Sequence, residues 1–396
     1  IEPFDTNMNL LDKLQSGDIS TVDALGKLSD TNKVNVKEIM NRLLRVYQTG
    51  LLEFHITDAC DLDCTECHYR TKGNATIPFS YIGPILARLQ PKAITITGGG
   101  EPNVYKSEDK NFNDVVLEIR RTLPNAMLGL INNNTKIVTG DWTKHINWQR
   151  TSVDTSNPKT YFEIKRRDKY EQVLANVKSL LADSTIPYVG IGFLYRPENV
   201  NEISDFLRLW HDWFKTQPLS IQQRFNIQFR PIAAQIDDVS QVRAGNKQFV
   251  SKNVQEEFSK QILSVIADTK NNDEFERFIR LNTNFGSMVG KDLNGLHQGK
   301  PFANCFNAFA HRVFRSTGEE YPDFLLPNFP KLSMGNTLLN GDEDLYKVAL
   351  LQFWYFNKRS PFCSAESCRQ AWVNNMVEGH IAGDISRDPS LTDSFY

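Results

Sequence analysis

Three cysteines crowd into one short stretch: Ala59-Cys60-Asp61-Leu62-Asp63-Cys64-Thr65-Glu66-Cys67-His68-Tyr69. With C-x3-C-x2-C spacing, Cys60, Cys64 and Cys67 can face one centre only if the loop curls around it. Thiolate is the ligand that soft metals and iron–sulfur clusters take. Structural zinc wants four ligands, spaced as two pairs. A local trio with no fourth partner points instead to a four-iron cluster with one iron open to a small ligand. Three incidental thiols are the plain alternative. Half of the chain's 6 cysteines fall in this one stretch, which argues against it.

A second run with chemical potential is Thr97-Gly98-Gly99-Gly100-Glu101-Pro102. Consecutive glycines let a backbone turn tightly and present its N–H groups. Glu101 adds a carboxylate able to accept from an ammonium group. An ordinary strand-to-helix turn is the plain alternative. Neither G-x-x-x-x-G-K-[ST] nor G-x-G-x-x-G occurs there, so a nucleotide-phosphate loop is not supported.

Both runs need elements to hold them. Short apolar runs at Leu51–Ile56, Ala93–Thr97, Ala126–Ile131, Thr151–Val153, Tyr188–Phe193 and Asn226–Phe229 alternate with amphipathic segments at Tyr81–Leu89, Phe112–Leu123, Tyr170–Leu181 and Ile203–Phe214. That alternation predicts βαβ units and a parallel sheet. The fold class is α/β, a partial (β/α)6 TIM-like barrel over 51–235. A helical lead-in over 1–50 precedes it and is expected to pack against it. A helical connector over 236–300 and an α+β extension over 301–396 follow. The cysteine loop succeeds the first strand and the glycine turn the second, at the strand ends that carry chemistry in such folds.

With that placement, the chain resembles the radical S-adenosylmethionine (SAM) enzymes. The family's cysteine motif matches Cys60, Cys64 and Cys67, and its GGE motif matches Gly99, Gly100 and Glu101. The resemblance implies a [4Fe–4S] cluster on the three thiolates, with SAM chelated at the open iron and its amino group contacted by the GGE turn. It implies reductive cleavage of the sulfonium, a 5′-deoxyadenosyl radical that takes hydrogen from a substrate, and an external electron donor of flavodoxin or ferredoxin type. Looser matches implicate Ser152 and Asp154 near SAM, and Lys165 or Arg166 at its carboxylate, where a solvated charge run is the alternative. Gly190 and Ile191 would lie near the adenine, and Asn132, Asn133 or Asn134 near the ribose. The aromatic residue that the family places before the third cysteine is Glu66 here, which leaves Tyr69 or His68 to meet the adenine.

Further on, Cys305, the run Gly318-Glu319-Glu320-Tyr321-Pro322-Asp323, Cys363 and Cys368 resemble the auxiliary-cluster extensions called SPASM and Twitch. Asp323 stands where the family's hairpin carries a cysteine. The resemblance implies one further cluster, held by Cys305, Asp323, Cys363 and Cys368, because three cysteines are too few for two. The alternatives are three thiolates with one iron open for substrate, or three thiols with no cluster.

The chain has 396 residues, 40 % hydrophobic and 23 % charged, with a formal net charge of −2. Such totals suit a globular protein of two or three domains and imply no nucleic-acid partner. No apolar run is long enough to span a bilayer. The start, Ile1-Glu2-Pro3-Phe4, carries no signal-peptide pattern. A reducing cytoplasm and cluster chemistry are therefore expected over three disulfides.

The expected activity is radical SAM chemistry on a small polar substrate: a sugar, cyclitol or amino acid derivative. A second cluster would favour net oxidation. A radical SAM maturase that cross-links or epimerises a ribosomal peptide is the alternative, though the lead-in shows no β-hairpin of a leader-binding winged helix. A non-catalytic iron–sulfur redox protein and a zinc protein are remoter readings.

Overall fold

The computed structural model describes residues 2–32, 35–38, 49–65, 67, 73–231, 252–269, 273–284, 304–324 and 326–358. Six strands run parallel and in chain order: β1 (Leu51–Phe54), β2 (Ala93–Ile96), β3 (Met127–Asn132), β4 (Trp148–Ser152), β5 (Tyr188–Tyr195) and β6 (Phe225–Pro231). Helices α1 (Glu2–Ser16) and α2 (Thr21–Asn32) form the lead-in, and α3 (Phe79–Leu89), α4 (Phe112–Thr122), α5 (Pro158–Lys165), α6 (Tyr170–Asp183) and α7 (Ile203–Phe214) form the crossovers.

One face of β1, β2, β3, β5 and β6 is apolar. Leu52, Phe54, Ile94, Ile96, Leu128, Leu130, Ile191, Phe193, Ile227 and Phe229 belong to a single buried cluster that the helices cover. Each such side chain contributes about 1.5–3 kcal/mol by leaving water. Local chemistry sets the helix ends. Asn111 and Asp114 form a capping box at α4. Asn157 caps α5 with Pro158 behind it, and α5 stops where Arg166 turns left-handed at φ 59°.

The fourth strand starts at Trp148, ahead of the Thr151–Val153 run expected for it. Its inward positions carry Trp148, Arg150 and Ser152, so a search for apolar runs passes over its first half.

The sheet is not closed. Its order is β9-β8-β7-β1-β2-β3-β4-β5-β6, nine strands in all, where β7 is His311–Phe314, β8 Glu319–Tyr321 and β9 Gly335–Asn336. β7 pairs parallel with β1, while β8 and β9 add antiparallel. The expected C-terminal hairpin is thus present, and it extends the barrel's own sheet. It is riveted by Glu320, which is 0 % exposed and accepts from Arg88 at 2.8 Å and Arg312 at 2.9 Å. Arg88 lies on α3 and Arg312 on β7, so one carboxylate ties crossover helix to hairpin.

Helices α8 (Lys252–Thr269) and α9 (Asp273–Asn282) lie in the segment after β6, and α10 (Gly341–Lys358) closes the described chain. The lead-in corrects its expectation. Leu11, Leu14, Leu25 and Leu28 pack with Val313, Tyr321, Val348, Leu351 and Tyr355, in a core separate from the barrel's. Trp354 on α10 donates to Asp12 at 2.8 Å. The lead-in's apolar stripe finds the C-terminal extension rather than the crossover helices. No helix among the described residues is long and apolar enough to cross a membrane.

Candidate cofactor and metal site

The glycine turn after β2 is fitted against the chain that leads from β1 into the cysteines. Gly98 and Gly99 have φ of 59° and 61°, a region that glycine enters without steric cost. A Cβ on Gly98 would overlap the His55 ring, one on Gly99 would lie 2.5 Å from Asp58 Oδ1, and one on Gly100 would run into the Ala59 carbonyl. The contact is stitched by Gly100 N–H to the Thr57 carbonyl and Glu101 N–H to the Ala59 carbonyl, each at 2.8 Å.

This fit buries Glu101, which is 2 % exposed. Its carboxylate accepts from the backbone N–H of Asn103 at 3.0 Å and of Asn133 at 2.6 Å. Burial pushes its pKa up to about 8, against those two hydrogen bonds, with Asp61 adding to the rise. Asn133, at the end of β3, also donates through its side chain to Asp61 at 2.8 Å and toward Cys60 Sγ at 3.9 Å. Thr135 makes a short hydrogen bond to the same Asp61 carboxylate. One residue therefore touches the buried carboxylate and the first thiol together.

The loop's other end is pinned to α5. Asp63 N–H reaches the Lys165 carbonyl at 3.2 Å, and Thr65 N–H the Ile164 carbonyl at 2.9 Å. Cys64 sits there beside Lys165 and Cys67. Burial pushes the Cys64 thiol up, while Lys165 and Arg196 oppose the rise. Among the described residues, no group of three or more Cys, His, Asp or Glu side chains is drawn together as a metal-holding set. The loop presents three thiols at one end of the sheet, Cys60 toward Asn133 and Cys64 toward Lys165. As donors they fit a four-iron cluster better than a hard cation.

The looser sequence matches separate here. Ser152 ends β4, facing inward, with Asp154 just beyond it at φ 67°. Asp154 pairs with the buried Lys165 ammonium through a short contact and accepts Leu194 N–H at 2.8 Å. Burial works to lower the Lys165 pKa, but Asp154 and Cys64 outweigh it and the net direction is up. Arg166, capping α5, is exposed, so Lys165 is the inward cation of that run. Gly190 and Ile191 lie on opposite faces of β5, and the Ile191 side chain is in the outer core. Asn132 bonds Gln149 at 2.8 Å, away from Glu101, and Asn134 is fully buried with neither side-chain polar atom hydrogen-bonded. Tyr69, His68 and Glu66 lie outside the described residues.

Of the second proposed ligand set, Cys305 is half-buried against the C-terminal core, with its N–H on the Phe356 carbonyl at 2.9 Å. Asp323 follows β8 and is half-buried. Cys363 and Cys368 lie outside the described residues.

Three residues escaped the sequence reading. Asp61 tethers the loop, and no spacing rule marks it. Arg315, beyond β7, reaches Asp58 at 3.3 Å, beneath the glycine turn. Arg196, just past β5, is 4 % exposed, with Nε and Nη1 making no hydrogen bond. It lies near enough to Cys64 and Lys165 to bias both. A cation directly after a barrel strand was the signal available for it.

No protein-family model matches the chain. Among curated relatives, the GTP 3',8-cyclase of Shewanella denitrificans is 25% identical over 204 residues, 48% of this chain and 56% of that protein. The GTP 3',8-cyclase of Vibrio vulnificus is 24% identical over 183 residues, 43% of this chain and 52% of that protein. The match thus spans about half the length of these relatives. Among solved structures, Streptococcus suis SuiB bound to S-adenosylmethionine shares the fold with a TM-score of 0.51 at 12% identity, over 94% of this chain and 83% of that one. Native anSMEcpe, with bound AdoMet and the Cp18Cys peptide, does so at 0.50 and 16%, over 82% and 88%.

Proposed function

We propose that this chain, a member of the radical SAM superfamily by its relatives and its fold, cleaves SAM reductively and uses it to take hydrogen from a small polar substrate. The observation that carries this reading is Asn133, whose N–H holds Glu101 at 2.6 Å and whose side chain lies 3.9 Å from Cys60. Cys60, Cys64 and Cys67 are assigned to the [4Fe–4S] cluster. When bound, the reduced cluster supplies the electron that breaks a sulfonium C–S bond.

The chain's own groups do the rest. Glu101 accepts from the SAM amino group, and a cationic partner there offsets the cost of ionising a carboxylate buried this deeply. Gly99 and Gly100 let the turn pack against Asp58 and Ala59, which fixes where Glu101 is held. Arg196 takes the SAM carboxylate, because its Nε and Nη1 have no partner while Lys165 is committed to Asp154. Ser152 lines the same mouth from β4, and Gly190 and Ile191 of β5 are assigned to the adenine side. Burial keeps bulk water from these charges.

Cys305 and Asp323, with Cys363 and Cys368, are assigned to one further cluster, and net oxidation is the outcome proposed with it. An external one-electron donor and a reducing cytoplasm complete this reading. The second reading is peptide maturation, supported by the fold shared with anSMEcpe, whose structure holds a peptide. The test is direct: iron–sulfur-reconstituted protein, SAM and dithionite should yield 5′-deoxyadenosine and methionine. No product with the cluster intact sinks the proposal. An iron and sulfide count near eight per chain, rather than four, supports the further cluster.

A further inference from the structure

We propose that Asn133 tunes the cluster assigned to Cys60, Cys64 and Cys67: its carboxamide donates to the Cys60 sulfur and so raises the cluster's reduction potential. This rests on the radical SAM reading and adds a positioning residue to that same site.

The carboxamide is held in one orientation. Its oxygen accepts from the Thr135 backbone N–H at 3.0 Å. An Asn oxygen on the N–H two residues ahead is an Asx turn, and Asn134 between them takes the left-handed conformation at φ 55°. The Thr135 hydroxyl, 3.0 Å from the same oxygen, makes a short hydrogen bond to Asp61 Oδ2. The Asn133 side-chain nitrogen then faces the cysteine loop, and it carries two N–H donors. One goes to Asp61 Oδ1 at 2.8 Å, and the other points toward Cys60 Sγ at 3.9 Å. Exchanging oxygen and nitrogen would set donor against donor at Thr135 and oxygen against the Asp61 carboxylate. The partners therefore leave one assignment.

Asp61 directly follows Cys60, so the sulfur and the network share one stretch of chain. Asn133 and Thr135 are buried, where a hydrogen bond is electrostatically stronger than in water. Reduction adds one negative charge, spread over iron, sulfide and thiolate. An N–H aimed at a thiolate sulfur stabilises that charge, and hydrogen bonds to the sulfurs help to set such potentials. The Asp61 carboxylate works the other way, since it repels added negative charge. Asn133 and Thr135, one on each oxygen, partly neutralise it. Losing the Asn133 side chain removes the donor and bares the carboxylate, and both changes lower the potential.

Asn133 divides its work between backbone and side chain. The backbone N–H holds Glu101 at 2.6 Å, and the side chain addresses the sulfur. A substitution removes the second and keeps the first, which separates cluster potential from SAM affinity.

The experiment measures the midpoint potential of the iron–sulfur-reconstituted full chain without SAM, by EPR-monitored reduction. Wild type is compared with Asn133→Leu, similar in shape and without a donor, and with Thr135→Val, which removes the hydroxyl from Asp61 and leaves Asn133 in place. Asn133→Leu should lower the equilibrium constant for reduction about tenfold, a fall of about 59 mV for one electron. Thr135→Val should shift it the same way by less. SAM affinity, by equilibrium dialysis, should stay within about threefold of wild type in both, because the backbone donor remains. A merely structural Asn133 would leave the potential where it was in every variant that keeps its cluster. Equal potentials at equal iron content, or a higher potential in Asn133→Leu, overturn the proposal. Should Asn133→Leu fail to hold a cluster, Thr135→Val decides alone. A wild type that holds no cluster sinks this inference together with the radical SAM reading. Equal potentials beside 5′-deoxyadenosine formation sink this inference alone, and shifted potentials without 5′-deoxyadenosine sink only the other.

Discussion

Two buried glutamates serve opposite ends. Glu320, between α3 and β7, is 0 % exposed; Glu101, between the glycine turn and β3, is 2 % exposed. Burial alone would raise the pKa of both. At Glu320, Arg88 and Arg312 outweigh burial and the net direction is down. At Glu101 the hydrogen-bond donors among the described residues are two backbone N–H groups, and the pKa is pushed up to about 8. A carboxylate whose charge is already matched is a rivet. One whose charge is unmatched is costly to ionise until a cationic ligand arrives, and such costs concentrate at functional sites. The difference separates the structural from the chemical half of this sheet.

The largest expected effect tests the rivet. Glu320→Ala leaves two guanidinium groups without their carboxylate, and Arg312 is itself buried. Removing one partner of a buried ionic set costs about 3–5 kcal/mol. The urea midpoint should fall accordingly, at unchanged slope. A fall under 1 kcal/mol (order of magnitude) would mean that Glu320 is no rivet, and the comparison loses one side.

The next effect tests the other side. Glu101→Gln keeps the shape of a group that is largely neutral below pH 8. It exchanges one acceptor for a donor facing a backbone N–H, so near pH 4.5, before the wild-type contribution begins to decline, stability should move by only about 1 kcal/mol. SAM affinity should fall by about 2 kcal/mol, some thirtyfold, because hydrogen bonds to charged groups are worth about 1.5–3 kcal/mol. Equilibrium dialysis with labelled SAM on reconstituted protein measures it. If the Gln variant unfolds while binding SAM normally, the two glutamates have been assigned the wrong way round.

How much of this contrast the sequence carries depends on distance along the chain. The βα alternation was legible because apolar runs repeat locally, and the Cys60–Cys67 and Gly98–Glu101 runs announce themselves by spacing. Trp148–Ser152 was half hidden because a lumen-facing strand alternates large and polar side chains. The pairing of β7 with β1 depends on tertiary register, which no local pattern encodes. The GEEYPD run marked a hairpin, yet Glu320 as a rivet emerges only when Arg88 arrives from a distant helix. Lys165 and Arg166 are neighbours in sequence. Only the left-handed turn at Arg166 decides that one faces in and the other out.

The smallest and sharpest test uses pH, because the two carboxylates carry opposite signs. Glu320 is lowered from 4.5, so its stabilisation is present above that value and is lost as acid takes the pH through its folded pKa. Glu101 is raised from 4.5 to about 8, so the folded chain holds a proton there that the unfolded chain gives up. Its contribution is complete below pH 4.5 and declines as pH climbs from 4.5 to about 8. Each contributes a slope of at most about 1.4 kcal/mol per pH unit. Stability measured from pH 5 to 8 should therefore fall more steeply in wild type than in Glu101→Gln, while wild type and Glu320→Gln should run parallel across that range. Below pH 4.5 the order reverses, and the wild-type advantage over Glu320→Gln shrinks. Parallel curves for Glu101→Gln from pH 5 to 8 would show that Glu101 is already ionised in the folded chain, and that it needs no cation to make it so.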